Sequence, residues 1–207
     1  KPYNASVPVT LGLDSLGSSG RLSNQRVGLV CNPASLDRHF QHAAKVVVNS
    51  GAKLTALFGP QHGFTSDRQD NMVETPHEHD DHHSVPVYSL YSETRTPTTE
   101  MLNGIDLMVI DLPDIGTRVY TYASTMANCL RACREHGIPA IVTDRPNPIG
   151  GIAIEGPVLE SEWASFVGQF PIPLRHGLTM GELAGLFNSE FGVGAELEIV
   201  PMTGWNR

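Results

Sequence analysis

Short apolar runs alternate along the chain with longer segments in which apolar residues recur every three or four positions. Runs rich in Val, Ile and Leu are typical of buried strands, whereas the spacing of three or four is typical of helices with one buried face. The alternation predicts an α/β fold in which a parallel sheet is joined by crossover helices. The predicted strands cover residues 26–31, 53–58, 86–90, 106–112, 139–143 and 196–200.

Three apolar stripes predict helices between these strands. Gly51 is expected to end the first helix and Gly192 the third, because glycine readily adopts the left-handed conformation that closes a helix. Thr179 followed by Glu182 forms a capping box, which marks the start of the third helix. The stripes are Leu36, Phe40, Ala44, Val47 and Val48; Val119, Tyr122, Met126, Leu130 and Cys133; and Leu183, Leu186 and Phe187.

The predicted strand at 106–112 ends in a group of polar residues. Asp111 and Asp114 follow its apolar part, and Arg118, Tyr120 and Tyr122 come next, at the predicted start of a helix. Open α/β sheets bind ligands in the crevice outside the carboxyl ends of their strands, so this group is the first candidate site. In the alternative interpretation, Asp114 is a turn or helix N-terminal residue and Arg118 is its ion-pair partner.

Two long connections, 59–85 and 145–178, also follow the carboxyl ends of predicted strands. Connections longer than about 12 to 15 residues are uncommon unless they have a function. In the first, Gln61 and His62 lie among glycines and a proline that fix the backbone path. His62 is a candidate general acid, general base or hydrogen-bond donor to substrate, or else a turn histidine bonded to backbone. Glu74 is the best-placed carboxylate of this connection, or else a solvated loop acid.

The second long connection has polar side chains near both ends. Asp144 is expected to accept hydrogen bonds from sugar hydroxyls or to orient Arg145. An arginine can bind a substrate carboxylate through two parallel hydrogen bonds, although Arg175 could equally stabilise a helix terminus or pair with Glu182. The candidates of this connection are Asp144, Arg145, Asn147, Glu155, Arg175 and His176.

The composition excludes several classes of protein. The chain has 207 residues, 40% hydrophobic and 17% charged, which is typical of a globular protein with a substantial core. Its net charge is −8 and it has no basic run, so nucleic acid is not an expected partner. The longest apolar runs are far shorter than the roughly 20 residues of a membrane span. Composition leaves the oligomeric state open.

Sequence signatures of cofactor and metal sites are also missing. Because there is no Gly-x-Gly-x-x-Gly segment and no P-loop, no nucleotide cofactor is expected, and without Gly-x-Ser-x-Gly an α/β-hydrolase site is not expected either. Residues 77–83 contain four histidines, but contiguous ligands suit a solvated polar loop better than a metal site. Cys129 and Cys133 are four residues apart on one predicted helix face, which favours core packing.

The chain resembles the exo-β-N-acetylmuramidase (NamZ-like) family, formerly a domain of unknown function. The resemblance runs from about residue 26 to the C terminus and rests on six segments that occur in the same order: 57–64, 86–91, 114–122, 144–148, 155–157 and 175–183. It implies a bacterial glycosidase of cell wall turnover that removes terminal N-acetylmuramic acid from peptidoglycan-derived disaccharides or muropeptides. The implied binding cleft lies between a Rossmann-like domain and a smaller C-terminal domain.

Relatives continue beyond the point that corresponds to residue 207. Residues 1–207 are therefore expected to be a single Rossmann-like α/β domain, the catalytic N-terminal part of a two-domain family, with the C-terminal domain absent or just begun. A peptidoglycan substrate implies the cell envelope, periplasmic or secreted, as the favoured location, and the cytoplasm as the alternative.

The resemblance has one chemical departure, at Gln61. Typical members carry Glu there as the catalytic candidate, and an amide cannot donate a proton to a leaving oxygen. The general acid is then expected to be Glu74, Asp114 or His62, and the second group Asp111 or Asp114, or the substrate's own 2-acetamido group assists. Tyr120 would stabilise charge on the sugar ring, and Arg118, Arg145 or Arg175 would hold the lactyl carboxylate. The expected substrate-binding residues are Gln61, Arg118, Tyr122, Asp144, Arg145, Asn147, Glu155, Arg175 and His176.

A second hypothesis is a non-catalytic domain that binds muramyl sugars or peptidoglycan. Gln61 favours it, because amides bind sugars well but transfer no protons, whereas Asp111, Asp114 and Tyr120 favour an enzyme. A third hypothesis is a metal-dependent hydrolase that uses the histidines of residues 77–83.

Overall fold

The computed structural model describes residues 8–66, 74 and 76–207. In these residues, apolar strands and amphipathic helices alternate for most of the length. In chain order, the elements are α1 (Gly12–Ser18), β1 (Arg26–Val30), α2 (Ala43–Asn49), β2 (Lys53–Gly59), β3 (Glu78–Asp80), β4 (Val85–Ser89), α3 (Thr99–Leu102), β5 (Leu107–Ile110), α4 (Tyr122–His136), β6 (Ala140–Thr143), β7 (Glu155–Val158), a 3-10 turn (Ser161–Trp163), β8 (Pro173–Arg175), α5 (Met180–Ser189) and β9 (Leu197–Val200).

Seven strands form one sheet in the order β3-β4-β2-β1-β5-β6-β9. All neighbours are parallel except β3, which runs antiparallel to β4 at one edge. From β1 the chain adds β2 and then β4 on one side, with β3 at the outer edge, and from β5 it adds β6 and β9 on the other side, which is the doubly wound Rossmann-like arrangement. The direction of winding changes between β1 and β5, where the Asp111 amide donates to the Val30 carbonyl oxygen at 2.9 Å. This is the position at which such sheets bind ligands.

Helices cover both faces of the sheet. One apolar layer joins the sheet to α3, α4 and α5, and includes Phe58, Met108 and Met126. The other joins the sheet to α1 and α2, and includes Leu13 and Leu29. Because both faces are covered, the central strands are apolar at almost every position rather than at alternate positions.

All six predicted strands are present, which confirms the α/β prediction. The predicted capping box is confirmed too: Thr179 Oγ1 accepts from the Glu182 amide at 3.2 Å, and Glu182 Oε2 accepts from the Thr179 amide at 2.9 Å. Cys129 and Cys133 are buried in the core, as predicted.

The predicted starts of the first two helices are wrong. Asp37 Oδ1 accepts from the amides of His39 and Gln41, which makes a turn, and α2 begins only at Ala43. Phe40 is consequently 84% exposed with a positive φ of 59°. Similarly, α4 begins at Tyr122, and Val119 is exposed in the preceding loop.

Both long connections contain strands that periodicity does not predict. Glu78–Asp80 forms β3, so part of the expected polar loop at 77–83 is an edge strand instead. The second connection contains β7 and β8, which pair antiparallel as a separate hairpin. Helices α1 and α3 were also unpredicted. Within the described ranges, every helix is too short or too polar to cross a membrane.

Candidate functional site

The candidate site begins where the loops after β1 and β5 touch. Ser35 Oγ donates to the Asp111 carbonyl oxygen at 2.5 Å, and Asn32 Nδ2 donates to the Tyr122 hydroxyl at 3.1 Å. Tyr122 is buried in the core, with its hydroxyl accepting the bond from Asn32. Asn32 and Ser35 were not among the predicted site residues, although they too follow the carboxyl end of a buried strand.

A buried ion pair joins the ends of β5 and β6. Arg145 donates from Nε to Asp111 Oδ1 at 2.9 Å and from Nη2 to Asp111 Oδ2 at 2.6 Å. Thr143 Oγ1 donates to Asp111 Oδ1, and Arg145 Nη2 also donates to the Leu36 carbonyl oxygen at 2.9 Å. Asp111 has no exposed surface. The Asp111–Arg145 pair therefore links the loops that follow β1, β5 and β6.

Asp114 and His176 form a second buried pair, contributed by the β5 loop and the second long connection. Asp114 Oδ2 accepts from the Gly116 amide at 2.7 Å and lies 3.2 Å from His176 Nε2. His176 Nδ1 accepts from the Leu178 amide at 3.1 Å, so Nε2 carries the proton that is donated to Asp114. The Gly116 bond fits the turn interpretation of Asp114, but its side-chain partner is His176 rather than Arg118.

The other oxygen of Asp114, Oδ1, is buried and has no hydrogen-bond partner among the residues that the structure describes. Thr117 Oγ1 and Arg175 Nε are likewise buried without partners, and Thr117 and Arg175 are joined by a β-bridge. Buried polar atoms without partners are rare and costly in native proteins. Thr117 follows Asp114 by three residues, and Arg175 precedes His176, the partner of Asp114. These atoms therefore mark positions near the Asp114–His176 pair where a polar ligand or water can complete the hydrogen bonding.

Two tyrosines lie beside Asp114. The rings of Tyr120 and Tyr122 are 4.5 Å apart between centroids. Burial, the hydrogen bond to Tyr122 and the nearby charge of Asp114 together raise the pKa of Tyr120 above its usual value. Tyr120 therefore keeps its proton at ordinary pH and is able to donate a hydrogen bond.

Gln61 reaches the crevice from the first long connection. It is buried, and its Oε1 accepts from Thr121 Oγ1 at 2.9 Å, immediately before α4. The turn that carries it is tight, because a Cβ at Gly59 would lie 2.6 Å from the Phe64 amide nitrogen. His62 follows with a positive φ of 75° and is half-buried. The Gln61 side chain is thus held in a fixed position by the tight turn and by its hydrogen bond to Thr121.

Gly116 allows the β5 loop to contact the second long connection. Its φ is 87°, and a Cβ there would overlap the Oδ1 atom of Asn147. Asn147 is buried and donates from Nδ2 to the Leu178 carbonyl oxygen at 2.9 Å. Asn147 therefore fixes the shape of the connection.

Arg118 and Arg175 lie at the rim and hold the β7–β8 hairpin. Arg118 Nη1 donates to the carbonyl oxygens of Pro157 at 2.9 Å and Ile172 at 2.6 Å. Arg175 Nη1 donates to Glu155 Oε2 at 2.8 Å. The alternative pairing of Arg175 with Glu182 is wrong, because Glu182 pairs with Arg207.

Asp144 directly follows β6, and its side chain contacts the N terminus of α5. Its Oδ1 accepts from the Gly181 amide at 2.7 Å and from the Arg145 amide at 2.9 Å. Burial raises the pKa of Asp144 although these hydrogen bonds oppose the shift. Asp144 thereby joins β6, Arg145 and α5.

Glu74 is exposed. Its neighbours 67–73, which include Asp67 and Asp70, and residue 75 lie outside the described residues. His83 Nδ1 pairs with Asp80 Oδ2 near β3. Among the residues that the structure describes, no group of three or more His, Cys, Asp or Glu is arranged to hold a metal ion.

Comparisons with known proteins match this architecture. A family model described as exo-beta-N-acetylmuramidase NamZ, N-terminal, matches residues 27–207. The chain is 48% identical over 202 residues to the peptidoglycan beta-N-acetylmuramidase NamZ of Bacillus subtilis (strain 168), a match that covers 96% of this chain and 49% of that protein.

Two solved structures of DUF1343 family proteins from Bacteroides fragilis NCTC 9343 are similar. One has a TM-score of 0.87 and 42% identity, and covers 96% of this chain and 51% of the other. The second has a TM-score of 0.81 and 27% identity, and covers 97% of this chain and 53% of the other. The chain spans about half the length of these relatives.

Proposed function

The chain belongs to the exo-β-N-acetylmuramidase NamZ family, and on that basis we propose that it acts in a glycoside hydrolase that releases terminal N-acetylmuramic acid from peptidoglycan-derived disaccharides or muropeptides. The observation that carries the proposal is the 48% identity, over 96% of this chain, to a peptidoglycan beta-N-acetylmuramidase. The crevice at the winding change between β1 and β5 supports it, because it gathers a carboxylate, a phenol and an amide where ligands of this fold bind.

Asp114 is the proposed second group of the reaction. Glycoside hydrolysis needs a group that protonates the leaving oxygen and a second one that attacks, activates water or orients the substrate. Two donors already point at Asp114 Oδ2, the Gly116 amide and His176 Nε2, which suits a carboxylate acting as acceptor. Asp114 Oδ1, which has no hydrogen-bond partner in the described part of the chain, is the atom proposed to face the substrate's 2-acetamido group or a water molecule.

Because Gln61 has no proton to transfer, the proposed general acid is another residue of the first long connection, Glu74 or His62. His62 follows Gln61 in the same turn and is half-buried, whereas Glu74 is exposed. Gln61 would instead hold a sugar hydroxyl or the acetamido group through its Nε2 amide. Tyr120, which stays neutral, would turn the lone pairs of its hydroxyl oxygen towards the positive charge that develops on the sugar ring. Asp111 is assigned a positioning role, since Arg145 donates to both of its oxygens.

Arg175 is the proposed partner of the lactyl carboxylate that distinguishes muramic acid from glucosamine. Of the three candidate arginines, Arg145 is buried against Asp111 and Arg118 donates to two carbonyls. Arg175 is also engaged, since Nη1 pairs with Glu155 and Nη2 donates to the Ile149 carbonyl oxygen. It is preferred because it is adjacent to His176 and because its Nε has no hydrogen-bond partner among the described residues. A peptidoglycan substrate also favours the cell envelope over the cytoplasm as the location.

The alternative proposal is a non-catalytic domain that binds muramyl sugars, and the specific observation in its favour is Gln61, buried and held by Thr121. Release of chromophore from an aryl β-N-acetylmuramide tests the choice, with an aryl β-N-acetylglucosaminide as the substrate control and the Bacillus subtilis relative as the positive control. Muramide-selective turnover supports the hydrolase, and Gln61→Glu should then increase the rate.

Selective muramide binding without turnover in both the natural chain and Gln61→Glu supports the sugar-binding domain. Equal affinity for muramide and glucosaminide, with no turnover of either, would refute both proposals.

A further inference from the structure

A basic cavity lies on the flank of the molecule, away from the crevice. It has a volume of about 440 Å³ and is lined by Arg95, Asn128, Arg131, Ser165, Phe166 and Gln169, among others. Arg131 lies nine residues beyond the start of α4. At 1.5 Å per residue this places it about 14 Å along the helix from the crevice, so the cavity is a separate feature.

The cavity wall contains two arginines and no carboxylate. Within the described residues, neither Arg95 nor Arg131 belongs to an ion pair. The chain as a whole has 14 basic and 22 acidic side chains and a net charge of −8. Two unpaired guanidinium groups facing one cavity are therefore unexpected in so acidic a protein, because acidic neighbours normally pair with them.

Each arginine is held in place by neutral groups. Arg95 lies over the Tyr91 ring, 3.9 Å from its centroid, and donates from Nη1 to the Ser92 carbonyl oxygen at 2.5 Å. Phe166 lies near the same guanidinium, 5.7 Å from its ring centroid. Stacking on aromatic rings fixes the plane of a guanidinium and leaves its edge free to donate hydrogen bonds.

Arg131 is held by an amide network. Its Nη1 donates to Asn128 Oδ1 at 2.8 Å and to Gln169 Oε1 at 2.5 Å, and Gln169 Nε2 donates to Asn128 Oδ1 at 3.1 Å. Asn128 Nδ2 in turn donates to the Arg95 carbonyl oxygen at 3.0 Å, so one side chain connects both arginines. In the described part of the chain, Nε and Nη2 of Arg131 have no hydrogen-bond partner.

We propose that this cavity binds a small oxyanion, the carboxylate or phosphate group of a ligand, between Arg95 and Arg131. Preorganised guanidinium groups match the geometry of both kinds of anion through paired N–H donors. The volume lies within the range of small-molecule sites, and Phe166 adds an apolar surface for the rest of the ligand. Burial lowers the pKa of Arg131, a shift that a bound anion would oppose.

Isothermal titration calorimetry tests the proposal with two probes, inorganic phosphate and succinate, against sodium chloride at the same ionic strength. One of the two probes should bind saturably at one site per chain. Arg95→Gln and Arg131→Gln should each weaken that binding by about tenfold or more, since each removes charge-assisted hydrogen bonds. Preference for phosphate would identify a phosphoryl ligand, and preference for succinate a carboxylate ligand.

Arg21→Gln is the matched control, because Arg21 is exposed, pairs with Glu198 on the surface and lies outside this cavity. It changes the net charge equally and should leave binding unchanged. If Arg131→Gln does not fold, Arg131→Lys keeps the charge without the planar fork and should still weaken binding severalfold. Absence of binding beyond chloride, equal weakening by Arg21→Gln, or unchanged binding in Arg131→Lys would overturn the proposal.

Discussion

Replacing Arg145 by Met should destabilise the fold strongly. The substitution keeps an apolar stem of similar length but leaves Asp111 charged, with no exposed surface for water to reach. Removing one partner of a buried ion pair typically costs about 3–5 kcal/mol of unfolding free energy. In a domain of this size each kcal/mol corresponds to roughly 2–4 °C, so the melting temperature should fall by about 6–20 °C.

An exposed ion pair with the same two-bond geometry serves as the control for the effect of burial. Arg26 and Asp106 also form a two-bond pair, at 2.9 and 2.6 Å, but their side chains are 51% and 38% exposed. Because water and salt screen such a pair, Arg26→Met should cost only a small fraction of the loss in Arg145→Met. Urea unfolding followed by circular dichroism measures both, with the slope against urea checked for constancy.

A double variant, Asp111→Leu with Arg145→Met, completes the test. It removes both charges and should recover much of the stability, because the cost of the single variant comes from the unpaired carboxylate. Equal losses in Arg145→Met and Arg26→Met would refute the reasoning. So would a double variant whose loss is the sum of its two single losses.

Three further predictions follow from the other pairs. If the chain is active, His176→Ala should lower kcat about tenfold or more and change KM little, because Asp114 loses its side-chain donor; steady-state kinetics measures this. Arg175→Ala should raise KM for aryl muramides but not for glucosaminides, and an equal change for both would exclude carboxylate recognition. The bonds from Arg26 lower the pKa of Asp106 to about 2. The stabilisation by Asp106 is therefore present above its unfolded pKa of about 3.9 and lost as pH falls towards 2, so the stability difference from Asp106→Asn should shrink over that interval.

The strands were predictable because their physical signal is local. Both faces of the sheet are covered, so β5 is apolar throughout and β1 is apolar after Arg26, and both strands stand out in the sequence. β3 gives no such signal, because Glu78, His79 and Asp80 are polar and pair with one neighbour at the edge. The start of α2 was misplaced because the Asp37 side chain holds the preceding backbone in a turn, which apolar spacing does not report.

The site was predictable in part. Placing Asp111 and Asp114 at the end of a buried strand identified the crevice, but not the partner of each carboxylate, Arg145 for Asp111 and His176 for Asp114. The contact between Asp114 and His176 joins residues 62 positions apart, and depends on the path of the second long connection. Asn32 has the same signal as Asp111, a polar residue after a buried strand, and was recognisable by that rule.

The hydrogen bonds that fix the β7–β8 hairpin affect the entropy change of ligand binding. Arg118 joins the β5 loop to the hairpin by donating to the carbonyl oxygens of Pro157 and Ile172. Arg175 and Glu155 pair across the two strands of the hairpin, and Asn147 donates to the Leu178 carbonyl oxygen in the segment that follows it. Little backbone in this wall is left to be ordered by a ligand. Association at the crevice should therefore lose little conformational entropy on the hairpin side, and differences in affinity among sugars should reflect contacts rather than loop closure.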